Sequence, residues 1–273
     1  MQDLVGGSTV YVFGGGILVA LLLGFLIGRL AKSRRSDGMG DAGTKVRQDQ
    51  FIMLASHYLL TPLSIIQTAL ASLQEADMSL NVDQRHRLYD AIQAGQKRLW
   101  IVAEEMVLVN EIEHSTLEPQ FAPSDVSDVI SAAIADVDVF ARVKNLAILF
   151  HDMSGQFHEA RLDARRMRQA VIAILDNAIK FSEIGDKVEI QLICEEGFYN
   201  LIVKDTGVGM DEQARARLGE RFFRGSSLYN FNYEGMGLGL HIAYAIFKAH
   251  GGSMSIMSEV NVGTTVTARF PML

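Results

Sequence analysis

Asn177-Ala178-Ile179-Lys180-Phe181 ends a stretch, residues 164–181, whose apolar positions recur with helical period. Beyond it two β-like runs, residues 187–194 and 199–205, lead into Asp205-Thr206-Gly207-Val208-Gly209. A third motif, Gly235-Met236-Gly237-Leu238-Gly239-Leu240, opens a further helix. Upstream, a proline-containing connector at 117–123 precedes a predicted helix over 125–141 and a short strand over 146–150. Helices alternating with strands in this way predict a mixed α/β domain over residues 116–273.

The chemistry of the three motifs fits a nucleotide. The amide oxygen of Asn177 is a hard donor suited to Mg²⁺, which prefers oxygen ligands and keeps several waters. Lys180, one helical turn on, can meet a phosphate as a point charge. Asp205, following a strand, can accept a hydrogen bond from an exocyclic amine, and Gly207 and Gly209 permit close backbone approach. Gly235, Gly237 and Gly239 offer bare amides at a helix N-terminus, which is an anion site. A dinucleotide-binding reading of that last loop fails, because a polar stretch rather than a strand precedes it. A P-loop fails as well, because no Gly-Lys-Ser/Thr occurs.

Working further outward, residues 46–76 and 82–113 each carry a helical apolar stripe, with Phe51, Leu54, Tyr58, Ile65, Ala69 and Leu73 on the first. Two such helices joined by a short loop make a hairpin over 46–115, and pairing of two hairpins into a dimeric four-helix bundle buries both stripes. The first helix contains His57-Tyr58-Leu59-Leu60-Thr61-Pro62-Leu63. Pro62 removes a backbone hydrogen bond to Tyr58 and should bend the helix just past His57.

No charged residue occurs from Leu4 to Gly28. At 1.5 Å per residue this run reaches about 37 Å, enough to cross a hydrocarbon core of about 30 Å. The segment 9–29 is therefore expected to span a membrane, with residues 1–8 as a short extracytoplasmic tip. A cleaved signal peptide is disfavoured, since no positive residue precedes the apolar run and no small-residue cleavage site follows. Arg29, Lys32, Arg34 and Arg35 follow it and place the C-terminal side in the cytoplasm. Gly16, Ala20, Gly24 and Gly28 share a face, which suits a helix dimer but also reflects the frequency of glycine in membrane helices. Residues 30–45, rich in Gly and Asp, are expected to form a flexible linker.

The net charge of -7 and the absence of a long basic block argue against a nucleic-acid partner. The single cysteine, Cys194, excludes an intrachain disulfide and lies in an apolar β-like run as a packing residue. No Cys/His cluster has zinc-ligand spacing.

Taken in order, these residues resemble the bacterial sensor histidine kinase family across residues 46–273. The family's H box resembles His57 to Leu63, its N box resembles Gln169 to Ser182, and its first glycine box resembles Asp205 to Gly209. Arg221-Phe222-Phe223-Arg224 looks like the F box, Gly235 to Leu240 like the second glycine box, and Gly263-Thr264-Thr265 like the terminal glycine-threonine element. The resemblance implies a dimerisation and phosphotransfer bundle followed by a Bergerat-type α/β sandwich that binds ATP and Mg²⁺. It assigns Mg²⁺ to Asn177, phosphate contact to Lys180 and Arg224, the base to Phe181 and Asp205, and pocket shape to Gly207 and Gly209. Gly235, Gly237, Leu238 and Gly239 would wrap the phosphates, Thr265 would join the nucleotide-binding set, and residues 210–234 would be a mobile lid. His57 would take the γ-phosphoryl group and pass it to an aspartate of a response regulator, with Thr61 serving the family's phosphatase reaction. The implied assembly is a homodimer in the bacterial inner membrane, and a membrane partner is one source of the signal.

The departures fall at the chemistry. The family's acidic residue after the histidine is Tyr58 here, and a phenol is a poor proton acceptor at neutral pH. The usual arginine is Leu60 and the usual first asparagine of the N box is Ala173. A hairpin turning near Ser79 brings Glu104 and Glu105 level with His57, so either could supply the missing carboxylate. Three functions stay open: a slow autokinase, an ATP-binding scaffold, and a phosphatase-biased enzyme.

Overall fold

The computed structural model describes residues 42–75, 80–155, 159–216 and 236–272, with side chains described from Ser56 onward. The chain divides into two units, Met1–Ile52 and Met53–Leu273. The first contributes only the opening turns of one helix to the described residues. The expected membrane segment 9–29, its tip and most of the linker lie outside them, as do Arg224 and Gly235. Among the described residues no helix is long and apolar enough to cross a membrane.

The hairpin consists of α1 (Ala42–Glu75) and α2 (Val82–Glu113). Helix α1 begins at Ala42, so the expected linker gives way to helix before residue 46. It continues unbroken through Pro62. The start of α2 follows from its sequence. Asn81 accepts from the Gln84 amide and Gln84 returns a bond to the Asn81 amide, a capping box that satisfies two orphan donors. The helices meet where Gly95 is buried. A Cβ there would sit 2.6 Å from Ile66 Cγ1 and 3.0 Å from the Pro62 carbonyl, so only glycine lets α2 approach so closely. One hairpin of the expected bundle is therefore in view. Its outer surface leaves Leu60, Ile65, Leu70, Tyr89 and Val107 exposed.

The second part is a two-layer α/β sandwich. Its sheet has the order β2-β4-β5-β7-β6, built from β2 (Ala147–Met153), β4 (Lys187–Glu195), β5 (Phe198–Asp205), β6 (Ser253–Glu259) and β7 (Gly263–Pro271). Strand β2 runs parallel to β4 and the remaining neighbours are antiparallel. A small ribbon pairs β1 (Ala122–Asp125) with β3 (Glu159–Leu162).

Three helices cover one face of the sheet: α3 (Val126–Val143), α4 (Ala164–Phe181) and α6 (Gly239–Ala249). A short α5 (Glu212–Ala216) follows β5. The alternation of each strand sends Val188, Ile190, Leu192, Tyr199, Leu201, Val203, Val266, Ala268 and Phe270 toward the helices. Ile130, Val137, Val171, Ile174, Leu175, Ile246 and Phe247 meet them. Each such side chain contributes roughly 1.5–3 kcal/mol on burial. Asp163 starts α4 by accepting from the Arg166 amide, and also accepts from Gln120 N–H at 2.9 Å. His250, closing α6, accepts the Asp163 N–H at Nε2 and lies 2.8 Å from the Ile246 carbonyl at Nδ1, so the neutral ring joins α6 to α4.

Candidate nucleotide site

The C-terminal turns of α4 present Asn177, Lys180 and Phe181 beside the turn that follows β5. The two segments touch through backbone. Val208 N–H donates to the Phe181 carbonyl at 3.1 Å. A Cβ on Gly207 would stand 2.2 Å from that carbonyl oxygen. Gly209 has φ +64 and a Cβ there would stand 1.9 Å from the Glu259 carbonyl. Packing thus requires glycine at both positions, and the turn's backbone favours it at Gly209 as well.

Asp205 lies at the end of β5 and is 6% exposed. Its Oδ1 accepts from Gly207 N–H at 3.0 Å and from Thr264 N–H at 3.1 Å. Both bonds go to one oxygen, which leaves Oδ2 to accept from an incoming amine. Burial raises its pKa, and the two amide bonds oppose that rise without cancelling it.

Helix α6 supplies the third side. It begins after Leu238, whose side chain offers no cap, so among the described residues its leading amides are available to an anion. Leu238 itself is buried, so its side chain serves the core while the backbone serves the site. Gly237 takes φ +71, a conformation that favours glycine. The Asn177 amide nitrogen lies 3.7 Å from where a Cβ on Gly239 would be, which places the α4 amide beside the start of α6. Ala173, one turn back on α4, also faces Gly239.

The structure therefore brings together Asn177, Phe181, Asp205, Gly207, Gly209, Gly237, Leu238 and Gly239. Lys180 is present on the same turn, but its ammonium pairs with Asp176 at 2.5 Å. Thr265 departs from expectation. It pairs with Lys204 on the sheet face opposite Val203 and Asp205, and Thr264 is the threonine that reaches Asp205. A one-residue step along a strand changes the face, and the repeated threonines conceal it. A cavity of about 390 Å³ opens elsewhere, lined by Trp100, Asp128, Arg165 and Arg168 near the other end of α4.

The hairpin docks on the sandwich through α2. Lys97 and Arg168 both pair with the buried Asp136, and Arg166 pairs with Glu111 at 2.7 Å. Glu104 pairs with Arg165 at 3.0 Å and accepts from Gln169. Glu105 is half-buried near Lys180, Asp176 and Arg98, with a pKa raised to about 7, chiefly by desolvation. Both carboxylates expected near His57 are thus engaged toward α4. Tyr58 is buried and stands edge-on to the exposed His57, with ring centroids 5.4 Å apart. Thr61 donates its hydroxyl to the His57 carbonyl at 3.1 Å.

Comparison with known proteins agrees with this geometry. Residues 162–273 match the family described as histidine kinase-, DNA gyrase B-, and HSP90-like ATPase. The uncharacterized sensor-like histidine kinase R01002 of Rhizobium meliloti is 30% identical over 244 residues, 88% of this chain and 45% of that one. The sensor histidine kinase YkoH of Bacillus subtilis is 31% identical over 224 residues, 82% of this chain and 48% of that one. The chain thus spans less than half the length of either relative. The solved complex of the histidine kinase ThkA with the response regulator protein TrrA shares the fold, with TM-score 0.51 and 18% identity, covering 87% of this chain and 68% of that one. The domain match, the relatives and the ordered motifs agree: the chain belongs to the bacterial sensor histidine kinase family.

Proposed function

We propose that this chain binds ATP with Mg²⁺ at the α4–β5–α6 site, phosphorylates His57 and passes the phosphoryl group to an aspartate of a response regulator. The observation that carries the reading is the convergence of Asp205, Asn177 and the uncapped start of α6 at one end of the helix layer. Asp205 would take the adenine amine, Asn177 would offer an oxygen to Mg²⁺, and the α6 amides with Lys180 would face the phosphates. A single amide ligand suits Mg²⁺, which is commonly held by substrate phosphates and waters besides one or two protein oxygens. The ion would neutralise charge on the phosphates, and phosphoryl transfer of this kind depends mainly on positioning and charge neutralisation. The regulator as partner is supported by the fold shared with ThkA, which was solved bound to TrrA. Homodimerisation would cover the exposed apolar side of the hairpin, and residues 9–29 would tether the assembly to the bacterial inner membrane.

A second reading has an observation of its own. Tyr58 occupies the family's acidic position, and both nearby carboxylates face α4, so the autokinase step lacks its usual proton acceptor. The chain would then act chiefly as a nucleotide-binding scaffold or a phosphatase. Incubating the full chain in detergent with γ-labelled ATP and Mg²⁺, beside His57→Gln, tests the first reading. Acid-labile, alkali-stable label lost in the variant supports the kinase. No label in a protein that still binds ATP refutes the autokinase step and leaves the second reading.

A further inference from the structure

Asp176 sits immediately before Asn177 on α4 and is 3% exposed. A carboxylate in such a place needs partners, and it has two cations from different sources. Lys180 approaches Oδ2 at 2.5 Å from the same helix. Arg98 approaches Oδ1 at 2.7 Å from α2 of the hairpin. Burial alone would raise the Asp176 pKa, but Arg98 and Lys180 together lower it, so the group is an anion shared between them. Arg98 is held in place as well as paired, because its guanidinium lies 4.3 Å over the Phe140 ring of α3. Glu105, two turns along α2 on the same face, adds a second acidic group near Lys180.

Lys180 is the residue the proposed function assigns to phosphate. Its ammonium cannot serve a phosphate fully while it alone neutralises a buried carboxylate. With Arg98 present, the charge of Asp176 is already answered from the hairpin side, and Lys180 can turn to an incoming anion. Without Arg98, Asp176 and Lys180 form a closed neutral pair, and the site has lost one positive charge. Resting on that ATP reading, we propose that Arg98 is a positioning residue: by holding Asp176 from the hairpin it frees Lys180 for phosphate. Nucleotide binding and seating of α2 on α4 then favour each other. The coupling must be reciprocal, since each event changes the other's free energy by the same amount. The chain of contacts is short and continuous: hairpin Arg98, α4 Asp176, α4 Lys180, phosphate.

The test is the affinity of the full chain in detergent for a fluorescent ATP analogue with Mg²⁺. Arg98→Met should bind about tenfold more weakly, within the range usual for coupled sites. Arg98→Lys keeps the charge but loses the stacking on Phe140, so its affinity should fall between those of wild type and Arg98→Met. Adding Asp176→Asn to Arg98→Met should restore most of the lost affinity, because the carboxylate that captures Lys180 is gone. A merely structural Arg98 predicts the opposite, a double variant at least as weak as the single. Glu111→Gln breaks a different α2–α4 ion pair and should leave affinity nearly unchanged. Unchanged binding in Arg98→Met, no recovery in the double variant, or an equal loss in Glu111→Gln overturns the proposal. A wild-type chain that binds no nucleotide defeats the ATP reading itself and this inference with it.

Discussion

The ammonium of Lys144, the residue after α3, donates to the backbone carbonyl of Lys180 at 2.7 Å. It also donates to the carbonyls of Ile179 at 2.9 Å and Ser182 at 3.0 Å. The last turn of α4 has no partners of its own for these oxygens, and a cation there also meets the negative end of the helix dipole. That turn carries Lys180 and Phe181, so the side chain of the residue capping α3 fixes part of the candidate site. Desolvation lowers the Lys144 pKa, while Asp176 and Asp186 pull it back up.

Lys144→Met keeps the length of the side chain and leaves three carbonyls without their donor. The loss should be about 1.5–3 kcal/mol of unfolding free energy, in keeping with the removal of charge-assisted bonds in a partly buried cluster. Nucleotide affinity should fall further than in a comparably destabilised core variant such as Ile130→Ala, placed away from the site. Urea unfolding and ATP-analogue titration of both variants check this. Equal affinities at matched stability would show that Lys144 serves the fold alone.

The glycines divide by what surrounds them. Gly209 has φ +64, and a Cβ there would lie 1.9 Å from the Glu259 carbonyl, so Gly209→Ala meets both backbone strain and a clash. Gly185 has φ +88 but nothing within 4 Å, so Gly185→Ala meets the strain only. Gly209→Ala should cost at least about 2 kcal/mol more than Gly185→Ala, because backbone must move to admit the methyl. It should also weaken ATP binding, since the displaced turn carries Asp205 and Gly207. Thermal unfolding of the two variants side by side decides it.

Much of this architecture is legible before any coordinates. Helix α2 starts and stops where the periodicity predicts, and α4 occupies the predicted 164–181. The site residues on α4, β5 and α6 are legible because nucleotide chemistry restricts residue type at fixed spacing. The ribbon strands β1 and β3 are not, because each is only four residues long, too short a run to announce a strand, and β1 contains Pro123 besides. Neither is the direction of Glu104 and Glu105. Sequence spacing places them level with His57, but the face they present is set by how α2 docks on α4, through Arg165, Gln169 and the Asp176 cluster. Asp176 and Lys144 escape notice for the same reason: their roles arise from contacts across helices distant in sequence.

Glu105 makes stability depend on pH in a direction opposite to that of an ordinary paired carboxylate. Its pKa rises from 4.5 to about 7 in the folded chain, first through desolvation, with Lys180 and Arg98 pulling down and Asp176 pushing up. Between those values the native state holds more protons than the unfolded one, so this group's contribution falls as pH rises through the window and levels off above about 7. The corresponding loss is on the order of 3 kcal/mol at most. His250 works against it, because burial lowers its pKa below 6.5 and its contribution is lost as pH falls. A comparison with Glu105→Gln removes that complication, since His250 is common to both proteins. The variant should be more stable than wild type at pH 8, and the advantage should shrink or reverse at pH 5. Urea unfolding at the two pH values measures the difference. An advantage that does not change with pH would mean the Glu105 carboxyl keeps an ordinary pKa, and that α2 does not bury it against the Asp176 cluster.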